Sequence, residues 1–519
     1  MAEMDFLTPQ QAWEELVNYR QKYYRKYIAA YSGDRAELNA TSNRGMFWAR
    51  AGKAKVHVPI AADIAATASD LMFSEEPAFT CYDDATEDNE SVQQHRLTEL
   101  VEKNDLHGKL NEACESCAAL GDVYLKLNWW PDEIDYPVLT VAQGDSVWPE
   151  FLFGIPKCFH FYSVVKKDTK TDVVWRLYER YEKGKITTAL FKGNAADLGT
   201  LQSETALDGI GFTPEITTPT DEMYAVHIPN MRPNRRYRAS NMGRSDFDEL
   251  RDLMDSLDET YSSWMRDIRL AKARLIVPAE YLRRKPTDMF NGDNRFTYEF
   301  DEDVETLVAL DIDPDHSNVG ITASQFAIRS AEHAATCMDI MRNIVSIAGY
   351  APQSFGMDIE GMAQSGTALH IREKKSYNTR GKKQTYWQSQ LEKIMTAMIH
   401  LDAALFPGAG SDRDDTVKVK FADSMSNDIS TISSAVQMLN SAVAASTEMK
   451  VRMLHPDLTD KQIAEEVDKI KQENGMALDN PDAGLGDFHL PQPQQTPQQR
   501  KTEPSEDDEQ QEIESGGEA

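Results

Sequence analysis

Long apolar runs are missing from this chain. Nothing approaches the roughly 18 consecutive apolar residues of a bilayer-crossing helix, so no transmembrane segment and no membrane partner is expected. The first residues, Met1-Ala2-Glu3-Met4-Asp5, are acidic and lack an apolar core, so no secretory signal is expected either. Cysteine is scarce: Cys81, Cys114, Cys117, Cys158 and Cys337 make five in 519 residues. An odd, scattered set fits reduced thiols and not a disulfide framework. Positive charge is also short, with 55 Lys and Arg against 85 Asp and Glu and a net charge of −30. Proteins that grip nucleic acid gain affinity when Lys and Arg displace counterions, so a broad DNA-binding surface is excluded. Passage of DNA is not excluded, because a wall that repels a polyanion lets it slide.

The motifs of common enzyme chemistries are absent too. There is no P-loop, no Gly-x-Ser-x-Gly elbow, no Gly-x-Gly-x-x-Gly after a strand and no His-Glu-x-x-His. No catalytic residue, cofactor or metal ligand is therefore assigned. Cys114-x-x-Cys117 lacks the two further ligands of a zinc site and sits mid-helix, which reads as buried structural cysteine. Asp311-Ile312-Asp313-Pro314-Asp315 resembles the opening of a calcium loop. It has His316 and Thr322 where such loops need Gly and Glu, so an acidic turn is expected. Carboxylates are abundant, which leaves a metal-dependent nuclease as an alternative.

What is present is helical periodicity. The fold class reads as α+β and predominantly helical. Between Ser245 and Leu275, Phe247, Leu250, Met254, Leu257, Tyr261, Trp264 and Ile268 alternate in steps of three and four. Ser245 with Asp248 resembles a capping box, and the helix would span roughly 45 Å. A second long helix, from about Ala323, carries Cys337, Ile340, Ile344 and Ile347. Between the two lie Pro278, Arg283-Arg284-Lys285-Pro286 and Asn291-Gly292. A third helix, about Thr367 to Leu405, is basic in its first half and shows Trp387, Leu391, Ile394, Met398, Leu401 and Leu405 in its second. Rods of this length exceed what one domain needs and suggest packing between subunits.

Elsewhere, Thr8-Pro9-Gln10-Gln11 predicts a helix start. Pro59 opens a helix that Glu75-Glu76-Pro77 stops, and Ala78–Tyr82 reads as a strand. Two helices, about 91–104 and 108–119, precede Gly121. Val123, Leu125, Leu127 and Trp129 alternate with polar residues as in a half-buried strand. Val173–Arg180 and Ile186–Phe191 flank a turn at Glu182-Lys183-Gly184, residues 193–220 read as a surface loop, and Tyr224–Ile228 as a strand. Ala351–Gly366, with Gly356, Gly361 and Gly366, reads as a flexible loop. Two shorter helices, 429–446 and 459–474, follow. The Pro/Gln-rich and then acidic end cannot bury a core.

The order of these parts resembles the portal proteins of tailed double-stranded DNA bacteriophages. The likeness rests on His57-Val58-Pro59-Ile60 through Phe73-Ser74-Glu75-Glu76-Pro77, and on Ala119-Leu120-Gly121-Asp122-Val123-Tyr124-Leu125-Lys126. It continues in Ile228-Pro229-Asn230, Gly243-Arg244-Ser245-Asp246-Phe247, Leu257-Asp258-Glu259-Thr260 and Arg274-Leu275-Ile276-Val277-Pro278. Ser354-Phe355-Gly356 and Leu458-Thr459-Asp460 complete it. The resemblance implies a ring, commonly of twelve subunits, at one capsid vertex, through which DNA is packaged and ejected. It implies a wing (1–244), stem helices (245–275 and 323–349), a clip (276–322) and a tunnel loop (350–366). A wing-spanning helix with a return strand (367–425), a crown (426–475) and a disordered tail (476–519) complete the plan.

The same likeness implies DNA contact by Gln353, Ser354, Met357, Met362 and Gln364. Docking of the packaging motor would fall to Arg283, Arg284, Lys285, Asn294 and Arg295. The implied partners are double-stranded DNA, the terminase large subunit, major capsid and scaffolding proteins, and head-completion or tail adaptors. The implied locations are the virion and, during assembly, the host cytoplasm. A virion ring or adaptor without a DNA channel is the other structural alternative.

Overall fold

The computed structural model describes residues 6–41, 55–82, 92–168, 170–238, 240–271, 274–278, 307–310, 322–324, 328–357, 366–412, 415–421, 429–442, 444–455 and 460–473. The expected motor-docking residues Arg283, Arg284, Lys285, Asn294 and Arg295 lie outside them, as do Met362, Gln364, the acidic 311–316 turn and the tail. No helix among the described residues is long and apolar enough to cross a membrane.

Helix α1 (Pro9–Tyr19) opens on the expected capping box. Gln11 N donates to Thr8 Oγ1, and the Gln11 side chain accepts from Thr8 N. This pairs two of the donors that a helix start leaves open. A π-helical turn at Arg20–Tyr24 leads into α2 (Arg25–Ser32), and α3 (Arg35–Thr41) follows. Helix α4 (Ile60–Phe73) buries Ile60, Ile64, Ala68 and Met72. Strand β1 (Ala78–Tyr82) pairs antiparallel with residues 416–420. Helices α5 (Val92–Lys103) and α6 (Leu106–Leu120) come next, and Gly121 ends α6 at φ +100°.

Strands β2 (Asp122–Asn128) and β3 (Val138–Gln143) are antiparallel. The half-buried reading of β2 is corrected here. Residues 122–127 are buried on both faces, because Tyr124 packs against Phe159 and Phe161, Lys126 against Glu179, and Val123, Leu125 and Leu127 lie in the main core. Lys126 is buried against Glu179, with which it forms a short ion pair. An antiparallel meander follows: β4 (Val147–Leu152), β5 (Ile155–Asp168), β6 (Val173–Glu182), β7 (Lys185–Gly193) and β8 (Thr200–Leu201). The stretch read as a surface loop also holds α7 (Glu204–Asp208) and β9 (Glu215–Thr217), and buries Leu198 and Leu207. Pairing of both short strands with β7 and packing of Leu207 against Leu177 and Leu190 hold it on the sheet. Strand β10 (Ala225–Pro229) then returns beside β2.

The first long helix, α8, occupies Arg251–Leu270, shorter at both ends than its sequence suggests. Arg274–Pro278 is a strand, β11, lying between β12 (Leu307–Leu310, parallel) and β13 (Thr322–Ser324, antiparallel). At 274–275 and 323–324 that pairing satisfies the backbone as strand where helix was expected, and α9 starts later, at Ser330, and runs to Ala348. Helix α10 (Gly366–Leu405) has the expected extent, and β14 (Thr416–Lys420) pairs with β1. The main core joins Leu97, Leu100, Leu110, Cys117, Leu125 and Phe161 to the second half of α10, where Trp387, Leu391, Ile394 and Met398 are fully buried. A second compact unit begins at Ser426. It contains α11 (Ile429–Ser441), α12 (Thr447–Leu454) and α13 (Asp460–Glu473), and buries Val451, Ile463 and Val467 together.

Candidate functional site

Three of the segments that carry the resemblance converge just before α8. Asn230 N donates to Gly121 O at 2.8 Å, Arg244 N to Met231 O at 2.9 Å, and Asp246 N to Ala118 O at 3.0 Å. A Cβ on Gly243 would sit 2.1 Å from Gly121 O, and one on Gly121 would sit 2.8 Å from the Arg244 backbone. Neither position has room for a side chain, so the chain crosses itself at two glycines. Beside the crossing, Asp122 is fully buried. Its Oδ1 accepts from Gly243 N at 2.6 Å and faces His227 Nε2 at 2.6 Å, while Tyr24 Oη donates to Oδ2 at 3.2 Å.

The next residues extend this knot to the long helices. Asp246 Oδ2 receives Lys383 Nζ of α10 and Tyr350 Oη, each at 2.6 Å, and Asn230 Nδ2 donates to Oδ1 at 2.8 Å. Lys383 Nζ also donates to Tyr350 Oη at 2.8 Å. Lys383 is only 1% exposed, so the ammonium is held entirely by protein groups. Burial, and then Asp246, raise the Tyr350 phenol well above its ordinary value, so it stays protonated and donates. The expected Ser245–Asp248 capping box is replaced by this network. Ser245 Oγ donates to Ala119 O and accepts from Phe247 N, and Asp248 pairs with Arg236. The helix therefore starts six residues later, at Arg251.

From the knot, α8 and α9 run as a packed pair. Phe247, Leu250, Met254 and Leu257 are buried with Cys337, Ile344 and Val345, and with Ile60, Ile64 and Ala68 of α4. His57 Nδ1 lies 2.9 Å from Asp258, whose other oxygen accepts from Val58 N at 2.8 Å. Towards the end of α8 the burial fades. Trp264 stacks on His333, Asp267 accepts from His333 and Arg329, and Ile268 is 39% exposed. Those two hydrogen bonds hold the Asp267 carboxyl below the usual range. Leu270, Ile328 and Ile347 are also exposed.

Where α9 ends, α10 crosses it. Gly349 closes α9 at φ +108°, and Thr379 Oγ1 donates to its carbonyl at 2.6 Å. Lys375 Nζ reaches Ser346, placing a cation at the negative end of the helix dipole. The chain then turns through Pro352–Phe355. Ala351 N donates to Ser376 Oγ at 2.8 Å, and Ser354 Oγ lies 2.9 Å from the same atom. Of the residues expected to face DNA, Gln353 is half-buried, Ser354 is tied to α10, and Met357 is only 8% exposed, packed with the α8–α9 core.

Sequence reasoning took Asp246 only as part of the likeness and Lys383 only as one of the basic residues of α10, and missed their pairing. Lys383 stands four residues before Trp387, which stands four before Leu391, so the lysine continues a buried stripe. That spacing was a usable signal. Cys114 and Cys117 lie on one face of α6, buried, with Cys114 Sγ 3.8 Å from Ala68 O and Cys117 Sγ 3.5 Å from Ile228 O. Burial pushes the Cys114 thiol up to about 12, which makes it unreactive and structural.

The family profile described as phage portal protein, SPP1 Gp6-like, matches residues 22–479. No curated protein matches the sequence. Among solved structures, a chain of the virion of the native gene transfer agent particle is 10% identical, with a TM-score of 0.38. The match covers 82% of this chain and 98% of that one. A chain from the neck of the empty particle is 11% identical, with a TM-score of 0.39 and coverage of 81% and 93%.

Proposed function

The chain belongs to the SPP1 Gp6-like family of phage portal proteins, and from that premise we propose that its copies close into a ring lining a DNA channel at the capsid vertex. One observation carries the assembly. The paired helices leave apolar side chains open: Ile268 and Leu270 on α8 at 39% and 42% exposure, Ile347 on α9 at 57%, and Ile328 just before α9 at 46%. Apolar residues spaced along two paired helices ask for a neighbouring surface, and a repeated heterologous contact that closes gives a ring.

On this reading α8 and α9 are the stem, residues 276–322 the clip, and 426–475 the crown. The knot at Gly121, Gly243 and Asp246 fixes the stem to the wing of residues 1–244. The loop after Gly356 meets DNA along with Gln353, Met362 and Gln364. Ser354 and Met357, held by α10 and the stem core, root that loop. Arg283, Arg284, Lys285, Asn294 and Arg295 dock the terminase motor and later the head-completion proteins. The net charge of −30 per copy makes the wall repel phosphate, so DNA slides without being held. No catalytic step is assigned to the chain.

Electron microscopy of the purified protein, with mass measurement, tests the ring. A closed assembly with a hole wide enough for a duplex is expected, and a persistent monomer at high concentration overturns the proposal. Deleting Gly356 to Gly361 tests the loop. Rings should survive while packaging or retention of DNA fails, and normal packaging refutes the assignment.

A further inference from the structure

Strands β4 and β5 bring three metal-ligating side chains to one face of the meander. Glu150 stands directly across from Cys158 in the antiparallel register, and His160 follows two residues along β5. Glu150 Oε1 lies 2.7 Å from His160 Nε2 and 3.5 Å from Cys158 Sγ, and Sγ lies 3.4 Å from Nε2. The cysteine and histidine are fully buried, and the Glu150 side chain is 19% exposed.

As a hydrogen-bond network the triad is overfilled. Leu7 N also donates to Glu150 Oε1, at 2.9 Å, so three donors converge on one carboxylate oxygen that offers about two lone-pair directions. An ion among the three atoms removes this conflict. It takes the place of the thiol and imidazole protons and leaves Oε1 with the ion and Leu7 N. For Zn²⁺ with bonds of about 2.0–2.3 Å, tetrahedral ligand separations are about 3.4–3.6 Å. Both sulfur distances already match, and the partly exposed glutamate needs to withdraw by only about 0.7 Å.

The remaining surroundings agree. His160 Nδ1 sits 2.8 Å from Tyr178 Oη, the kind of outer partner that orients a ligating imidazole. Arg180, opposite His160 on β6, has its charge met by Glu182 at 3.0 Å. A divalent ion with one thiolate and one carboxylate is neutral, which suits a buried place.

We propose that Glu150, Cys158 and His160 form a divalent metal site of the zinc class, with water as the fourth ligand on the exposed side of the glutamate. Thiolate and imidazole together select zinc over magnesium or calcium. On binding, the Cys158 thiol loses its proton to solvent as the sulfur–metal bond forms. The imidazole proton shifts from Nε2 to Nδ1, where it faces Tyr178. With Leu7 N on the same carboxylate, the ion clasps the first residues of the chain to the sheet. The site stands apart from the channel reading and from its tests.

The test is a cobalt(II) titration of the full-length protein after chelator treatment, followed by zinc. One equivalent should bind per chain, with a thiolate-to-cobalt charge-transfer band and tetrahedral d–d absorption that zinc abolishes. Cys158→Ser should lose the band, whereas Cys114→Ser with Cys117→Ser should keep it. Tyr178→Phe should weaken binding by roughly 10- to 100-fold. Absence of the band in the folded wild-type chain overturns the site without recourse to any variant. A band that survives Cys158→Ser also overturns it.

Discussion

Replacing Lys383 with methionine keeps the length and apolar stem of the side chain and removes its charge. Asp246, 7% exposed, would then keep Tyr350 Oη and Asn230 Nδ2 as donors but lose its cation. Removing one partner of a buried pair costs about 3–5 kcal/mol, because the other charge stays buried and uncompensated. The loss falls where α9, the Pro352–Phe355 turn and α10 meet, so local opening should report it. Amide exchange of a peptide spanning 345–355 should quicken by roughly 10²- to 10⁴-fold. The double variant Lys383→Met with Asp246→Asn leaves no stranded charge, and its amide accepts from Asn230 as the carboxylate did. It should recover most of the protection, which is a coupling that independent sites would not show. Acceleration under about tenfold, or a double variant that exchanges faster than the single, would refute the reasoning.

Two further outcomes follow from the same region and its neighbours. Gly243→Ala should cost more than about 4 kcal/mol, since its Cβ would lie 2.1 Å from Gly121 O and both strands of the crossing are backbone; a melting temperature within a few degrees of wild type would contradict that. His400 lies 3.0 Å from Glu222 and 2.8 Å from Asp415 O; its pKa is raised, chiefly by the hydrogen bond to Glu222, and the same bond lowers that of Glu222. The histidine's contribution is complete below its ordinary 6.5 and lost as the pH rises through the raised value, while the glutamate's is complete above its ordinary 4.5 and lost on acidification. The melting-temperature gap between wild type and His400→Gln should therefore be widest between these two values and close on either side, and a flat gap would sink the assignment.

Local signals were legible in the sequence where a side chain talks to its own backbone. The Thr8–Gln11 box, the Pro77 stop before β1, and Gly121 at a positive φ all act within a few residues. The buried half of α10 was also readable, because its stripe faces a single core. The failures share a cause. Lys126 looked solvent-exposed because its partner Glu179 is 53 positions away. Ser245 and Asp248 looked like a cap because nothing nearby reveals that Ala119 and Arg236 will claim them. The Glu150, Cys158 and His160 cluster spans two strands, and its closeness depends on a register that only pairing sets. Composition could not separate these residues from an ordinary acidic surface.

The knot also bears on why so much charge is buried at the root of the paired helices. Apolar replacements of a buried ion pair often match or exceed its stability, so stability alone does not account for Asp246 and Lys383. We propose that what the pair adds is discrimination. The seam of Leu250, Met254 and Leu257 is apolar at every third or fourth residue, and a shifted packing still buries apolar surface. Asp246 is less tolerant, because Lys383, Tyr350 and Asn230 must all reach it together. A slip of α10 by one residue turns Lys383 by about 100° away and strands both charges. The penalty for a wrong register is thus several kcal/mol at the knot, against much less in the seam. In the proposed ring every copy must present its stem at one angle to the wing, since a closing contact repeats any error around the circle. A polar lock at the root and a plain apolar seam beyond it divide the two tasks: the first sets the angle, and the second leaves apolar surface for the neighbour.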